Sequence, residues 1–295
     1  MRNLRTLFPS LILLACLLFA VPARSQSWTT LTHQPSMTNF ASSLFLLTNG
    51  TVLCQDGDAG DWWKLTPDSS GSYVNGTWTQ VASLPSGYTP LYYGSAVLAD
   101  GRLVIMGGEY NGGSNPVWTN LGAIYDPVAN SWTSLSAPSG WSQIGDAESC
   151  VLSGGQFLLA NPVQNLIASL DPSSLTWTAI SSTGKADGYD EEGWTLLPDG
   201  TILTVDVGAA PNTERFLPSV PEWISADSTP NSLTTASEMG PAVLRPTGTV
   251  FATGANGYTA VYTPPSTLTG TGSWANGPMF PVIGGNQYGI QDGPA

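Results

Sequence analysis

Leu98–Leu135 reads LADGRLVIMGGEYNGGSNPVWTNLGAIYDPVANSWTSL, and its punctuation decides the fold. Asp100-Gly101 is a tight-turn pair between two short apolar runs. Glycine accepts positive φ at no steric cost, so such a pair predicts a β-hairpin. A third short run ends at Pro127 and a fourth carries Trp132. Four short β-rich runs with turn signals between them predict a four-stranded antiparallel sheet.

The same order of markers recurs along the chain. Tryptophans stand in matching contexts at Trp28, Trp78, Trp132, Trp177, Trp223 and Trp274. Turn pairs keep phase with them at Asn49-Gly50, Asp100-Gly101, Gly154-Gly155, Asp199-Gly200 and Thr247-Gly248. The third runs end at Pro67, Pro127, Pro172, Pro218 and Pro264. A unit of four strands repeated about every fifty residues is the blade of a β-propeller. One blade cannot bury both faces alone, so the Trp is expected to pack between blades. The reading is all-β: five complete repeats with partial ends, a fragment of a six- or seven-bladed ring. The Trp28 segment is expected to close that ring as an outer strand. GIQDGPA at the C-terminus aligns with ASEMGPA at 236–242, so the chain stops in the first strand of a sixth repeat.

Residues 1–25 read as a secretory signal peptide: Arg2 and Arg5, an apolar run from Leu7 to Ala20, then the small residues Ala23 and Ser25. The domain is then 26–295, and the expected location is secreted or periplasmic. Removing residues 1–25 takes 3 of the 8 basic residues, so 5 bases face 21 acids and the mature charge is −16. That argues against nucleic acid and anionic membranes as partners, since phosphate binding needs Lys and Arg. No segment after the leader is apolar enough to span a bilayer. Cys54 and Cys150 are expected to be buried thiols and not a bridge.

First strands line the channel of a propeller, so the joins leading into them crowd one mouth. Eight residues before each turn pair stand Ala41, Tyr92, Asp146, Glu191 and Met239, with Asp292 at the sixth position by alignment. The expected ligand-binding set is Tyr92, Tyr93, Trp141, Asp146, Glu148, Tyr189, Asp190, Glu191, Glu192, Glu238 and Asp292. These carboxylates and aromatics suit an extracellular small molecule or glycan, since sugars stack on rings and donate hydroxyl hydrogen bonds. Calcium is admitted as an oxygen-bound ion at Asp190-Glu191-Glu192, without EF-hand spacing. Paired carboxylates such as Asp146 and Glu191 leave a hydrolase or lyase open. No phosphate loop, HExxH or Gly-x-Ser-x-Gly motif is present.

The glycine doublet Gly107-Gly108, then Tyr125-Asp126-Pro127, then Trp132 resembles a kelch repeat. The resemblance extends as a pattern over 27–295, with the doublet kept only here. It implies a propeller like those of interaction proteins and of the galactose oxidase-like superfamily. The copper-radical site of that superfamily would need a Tyr–Cys pair and histidines. Tyr92 falls at the Tyr position, but Ala41 takes the place of the Cys, Gln291-Asp292 that of a Tyr-His pair, and His33 is the single mature histidine. No cofactor is therefore expected and copper is disfavoured. The expected function is a ligand-binding module without catalysis; the alternatives are a carbohydrate-active enzyme and a structural scaffold.

Overall fold

The computed structural model describes residues 28–235 and 237–291. The expected signal peptide and Asp292 lie outside the described residues. Five four-stranded antiparallel sheets follow one another, each in meander order. The first blade is β1 (Ala41–Leu46), β2 (Val52–Asp56), β3 (Trp62–Thr66) and β4 (Thr77–Gln80). In the second, β5 (Pro90–Leu91) precedes β6 (Gly94–Val97) and β7 (Leu103–Met106), and β8 (Tyr110–Asn111) precedes β9 (Gly122–Asp126) and β10 (Ser131–Ser134). β5 and β8 pair with each other and stand apart from the blade sheet. The third is β11 (Ser149–Val151), β12 (Phe157–Asn161), β13 (Leu166–Asp171) and β14 (Thr176–Ile180). The fourth is β15 (Thr195–Leu196), β16 (Ile202–Val205), β17 (Asn212–Leu217) and β18 (Glu222–Ser228). The fifth is β19 (Ala242–Leu244), β20 (Val250–Thr253), β21 (Thr259–Thr263) and β22 (Ser273–Asn276), followed by a small hairpin of β23 (Val282–Ile283) and β24 (Asn286–Gln287). No described residue is helical.

All five turn pairs join the first and second strands of a blade, as expected. The turn is a three-residue loop and not the two-residue one the pair alone suggests. In the first blade Gly50 N–H donates to Leu47 O and Leu47 N–H to Thr51 O, and the other four blades repeat this pattern. The glycine takes the left-handed position after a type I turn, with φ between 81° and 89° at Gly50, Gly101, Gly155, Gly200 and Gly248.

Neighbouring blades meet through their first strands: β1 with β6, β6 with β11, β11 with β15, and β15 with β19. The tryptophans hold the outer parts of the blades together. Each sits opposite a third-strand residue of its own blade: Trp78 on Leu65, Trp132 on Tyr125, Trp177 on Leu170, Trp223 on Phe216 and Trp274 on Tyr262. The indole N–H then reaches back to the preceding blade, from Trp132 to Ala82 O, Trp177 to Ser136 O and Trp274 to Ala226 O. Trp223 donates instead to the Tyr189 hydroxyl at 3.1 Å. Trp78 has no preceding blade among the described residues, and its Nε1 makes no hydrogen bond.

Trp28 departs from the expectation. It is fully exposed and in no strand, while Thr32 N–H donates to Val74 O, which holds this segment against the first blade. Cys54 and Cys150 are free and buried, and burial pushes both thiols up to about 11.

Candidate functional site

The joins before the first strands of blades two to five open on one cavity of about 510 Å³. Its wall includes Tyr92, Tyr93, Asp146, Glu191, Glu192 and Glu238 from the expected set. Glu109 and Tyr110 complete the carboxylate and aromatic lining, and no Lys, Arg or His takes part. The repeat phase explains the convergence, because each join delivers its residue at the same height of a first strand. Two equivalent rim positions carry positive φ, Tyr92 at 51° and Glu191 at 59°. Such backbone costs about 1–3 kcal/mol per residue and concentrates at ligand sites.

Asp146 and Glu191 reach the same wall of the cavity from neighbouring joins. Burial pushes Asp146 up to about 6, and the nearby charges of Asp190 and Glu109 add to the shift. Tyr92 and Tyr110 meet edge to face, ring centres 6.0 Å apart. Tyr93 lines the cavity while packing against the core of the first two blades, and its hydroxyl donates to Gln55 Oε1 at 2.5 Å.

Three acids that are adjacent in sequence go three ways. Asp190 is exposed and outside the cavity wall. Glu191 faces the cavity. Glu192 is buried at its edge, where Oε1 accepts from Lys185 Nζ at 2.8 Å and Oε2 from Thr204 Oγ1 at 3.0 Å. Glu148 sits behind the wall, its Oε1 accepting the Glu192 N–H at 3.0 Å. Burial raises both Glu148 and Glu192 well above the usual carboxylate range; at Glu192 the Lys185 charge opposes the shift.

Trp141 and Tyr189 of the expected set lie away from the cavity wall. Trp141 is buried against Ile144, Phe157 and Leu159, and Tyr189 against Ile202, Phe216 and Trp223. Large rings in the joins fill the gaps between blades, where they bury more apolar surface than at an open mouth. Glu148 and Asp190 likewise stand off that wall.

The hairpin insertion at 109–120 was not singled out in the sequence, and it adds more than Glu109 and Tyr110. Trp118 is 40% exposed at φ 39°. Its ring rests on Gly145, next to Asp146, where a Cβ would lie 3.6 Å from the indole. The signal lay in the Glu109-Tyr110 pair straight after the glycine doublet and in a Trp out of phase with the repeat.

No family model matches the chain. The Kelch-like protein terF of Aspergillus terreus is 27% identical over 142 residues, 43% of this chain and 26% of that protein. Galactose oxidase of Gibberella zeae is 33% identical over 87 residues, 30% of this chain and 11% of that protein. The chain thus spans about a quarter or less of these relatives' lengths. Among solved structures, virginiamycin B lyase of Staphylococcus aureus superposes with a TM-score of 0.59 at 11% identity, covering 88% of this chain and 75% of that one. A catalytically inactive form of the same lyase, with quinupristin, gives 0.57 at 13% identity, covering 84% and 72%. The chain has a divergent kelch-like β-propeller fold with weak sequence similarity to kelch-like protein and galactose oxidase.

Proposed function

We propose that this propeller is a secreted binding module that takes a neutral or amine-bearing glycan at the cavity. One observation carries the reading: five carboxylates and three tyrosines line a single cavity with no basic side chain among them. Carboxylates accept hydrogen bonds from sugar hydroxyls and tyrosine rings cover the apolar face of a pyranose. Trp118 supplies a further open ring beside Asp146. The same acids repel uronic and sulfated sugars. The leader-like pattern of residues 1–25 and the acidic composition support the secreted part of this reading. Among the described residues no helix is long and apolar enough to cross a membrane.

Asp146 and Glu191 line the same wall, so the second reading is glycoside hydrolysis by this carboxyl pair, and product analysis separates it from binding. The test is a glycan array probed with the mature protein, followed by product analysis of each bound glycan. Retention of neutral or amino sugars without cleavage is expected. Retention of anionic glycans alone, or release of cleaved product, would overturn the proposal.

A further inference from the structure

Behind the cavity edge, Lys185 is buried among four carboxylates. Its Nζ donates to Asp187 Oδ1 and to Glu192 Oε1 at 2.8 Å, and lies 2.9 Å from Glu214 Oε2 and 3.6 Å from Asp206 Oδ1. Neutral donors hold three of these acids in place. Asp187 Oδ2 accepts the N–H groups of Gly208 and Ala209, Glu192 Oε2 accepts from Thr204, and Glu214 Oε1 accepts the Ala186 N–H. Each therefore keeps one oxygen fixed and turns the other to a common centre.

Asp206 is different. Its side chain is fully buried and neither oxygen accepts a hydrogen bond. The lysine contacts Glu214 Oε2 outside hydrogen-bond geometry, so that oxygen lacks one too. A buried carboxylate held only by a 3.6 Å ion pair, with no hydrogen bond, is costly. Four carboxylates against one ammonium leave a formal charge of −3 on the cluster. One ammonium, with three protons to give, cannot satisfy the set.

One oxygen each of Asp187, Glu192 and Asp206 lie within 4.8 Å of one another. An ion bound to oxygens at about 2.3–2.6 Å spans that spacing. We propose that Asp187, Glu192 and Asp206 form a site for a calcium-class divalent cation that exchanges with the Lys185 ammonium. With the ion in and the ammonium withdrawn, the formal charge falls from −3 to −2 and Asp206 exchanges a 3.6 Å ion pair for direct ligation. Asp187 is the one partly exposed ligand and marks the way in. The aromatic rings of Tyr189 and Trp223, each centred 5.6 Å from Lys185 Nζ, form a wall of the site. The all-oxygen donor set favours calcium over soft metals. This site is separate from the sequence expectation of calcium at Asp190-Glu191-Glu192, of which only Glu192 takes part.

The test is calcium titration of the mature protein by calorimetry, with terbium luminescence excited through the indoles as a second readout. One saturable site is expected, with sensitised terbium emission that calcium displaces. Asp206→Asn keeps the side-chain volume and should weaken binding by about tenfold or more, since ligand charge sets calcium affinity over decades. Lys185→Met removes the competitor and should tighten it by a similar factor. Asp146→Asn with Glu191→Gln alters only the cavity and should leave calcium affinity unchanged. Absence of saturable calcium binding in both the wild type and Asp206→Asn would overturn the site. So would unchanged affinity in Asp206→Asn, or loss of calcium with the cavity variant instead. Loss of glycan binding alone bears on the cavity and leaves this site standing.

Discussion

Replacing Asp146 by Asn removes a charge that the fold tolerates poorly. Burial lifts the Asp146 carboxyl from 3.8 to about 6. A folded-state value above the unfolded one means that ionisation is harder in the native protein. The group therefore costs nothing below pH 4, costs progressively more as pH rises from about 4 to 6, and carries its full penalty at pH 7. At about 1.4 kcal/mol per unit the ceiling is about 3 kcal/mol, and solvent access to the cavity brings the expected value to about 1.5 kcal/mol. Asp146→Asn should thus raise stability at pH 7 by about 1.5 kcal/mol, or roughly 3–6 °C in Tm. Urea unfolding at pH 7 and at pH 4 measures it. The two proteins should converge at pH 4, because Asp146 is then neutral in the wild type. A variant less stable than the wild type at pH 7, or a gain that persists undiminished at pH 4, would refute the reasoning.

The packing makes further predictions. Trp223→Ala empties a buried site against Tyr189 and Phe216 and should lower stability by about 3–5 kcal/mol, whereas Trp132→Phe loses mainly the bond to Ala82 O and should cost about 1 kcal/mol beyond the change in ring size; thermal unfolding separates the two. Gly155→Ala meets no atom within 4 Å and pays only for φ 88°, about 1–2 kcal/mol, while at Gly101 the new Cβ also meets Thr48 Oγ1 at 2.6 Å, so Gly101→Ala should be the more destabilising in chemical denaturation. Cys54 and Cys150 should react with a thiol reagent only on unfolding, since both are buried with raised pKa values; stoichiometric labelling of the native protein would contradict the packing.

Blade architecture was legible because it is local and periodic. Asp100-Gly101 and Trp132 mark a turn and an inter-blade contact, and both roles recur at each repeat. The mouth was half legible for the same reason: phase places Tyr92, Asp146 and Glu191 at one level. Phase does not say which way a neighbouring side chain turns. Tyr189 and Glu191 are two residues apart, yet one fills the blade interior and the other the cavity. Lys185 was hidden by distance, since Asp206 and Glu214 come from a different part of the blade. Glu109, Tyr110 and Trp118 belong to an insertion that breaks the repeat, so counting from turn pairs passes over them. Trp28 matches the motif, yet it stands exposed and outside every described blade.

The cavity reading is tested most directly by calorimetric titration of an array-selected glycan into the wild type and into the Asp146→Asn, Glu191→Gln double variant. Removing two hydrogen-bonding carboxyls from the wall should weaken binding at least tenfold, about 1.4 kcal/mol or more, while Tm stays equal or rises. Equal affinity in a folded double variant would place the ligand elsewhere on the propeller and contradict the account.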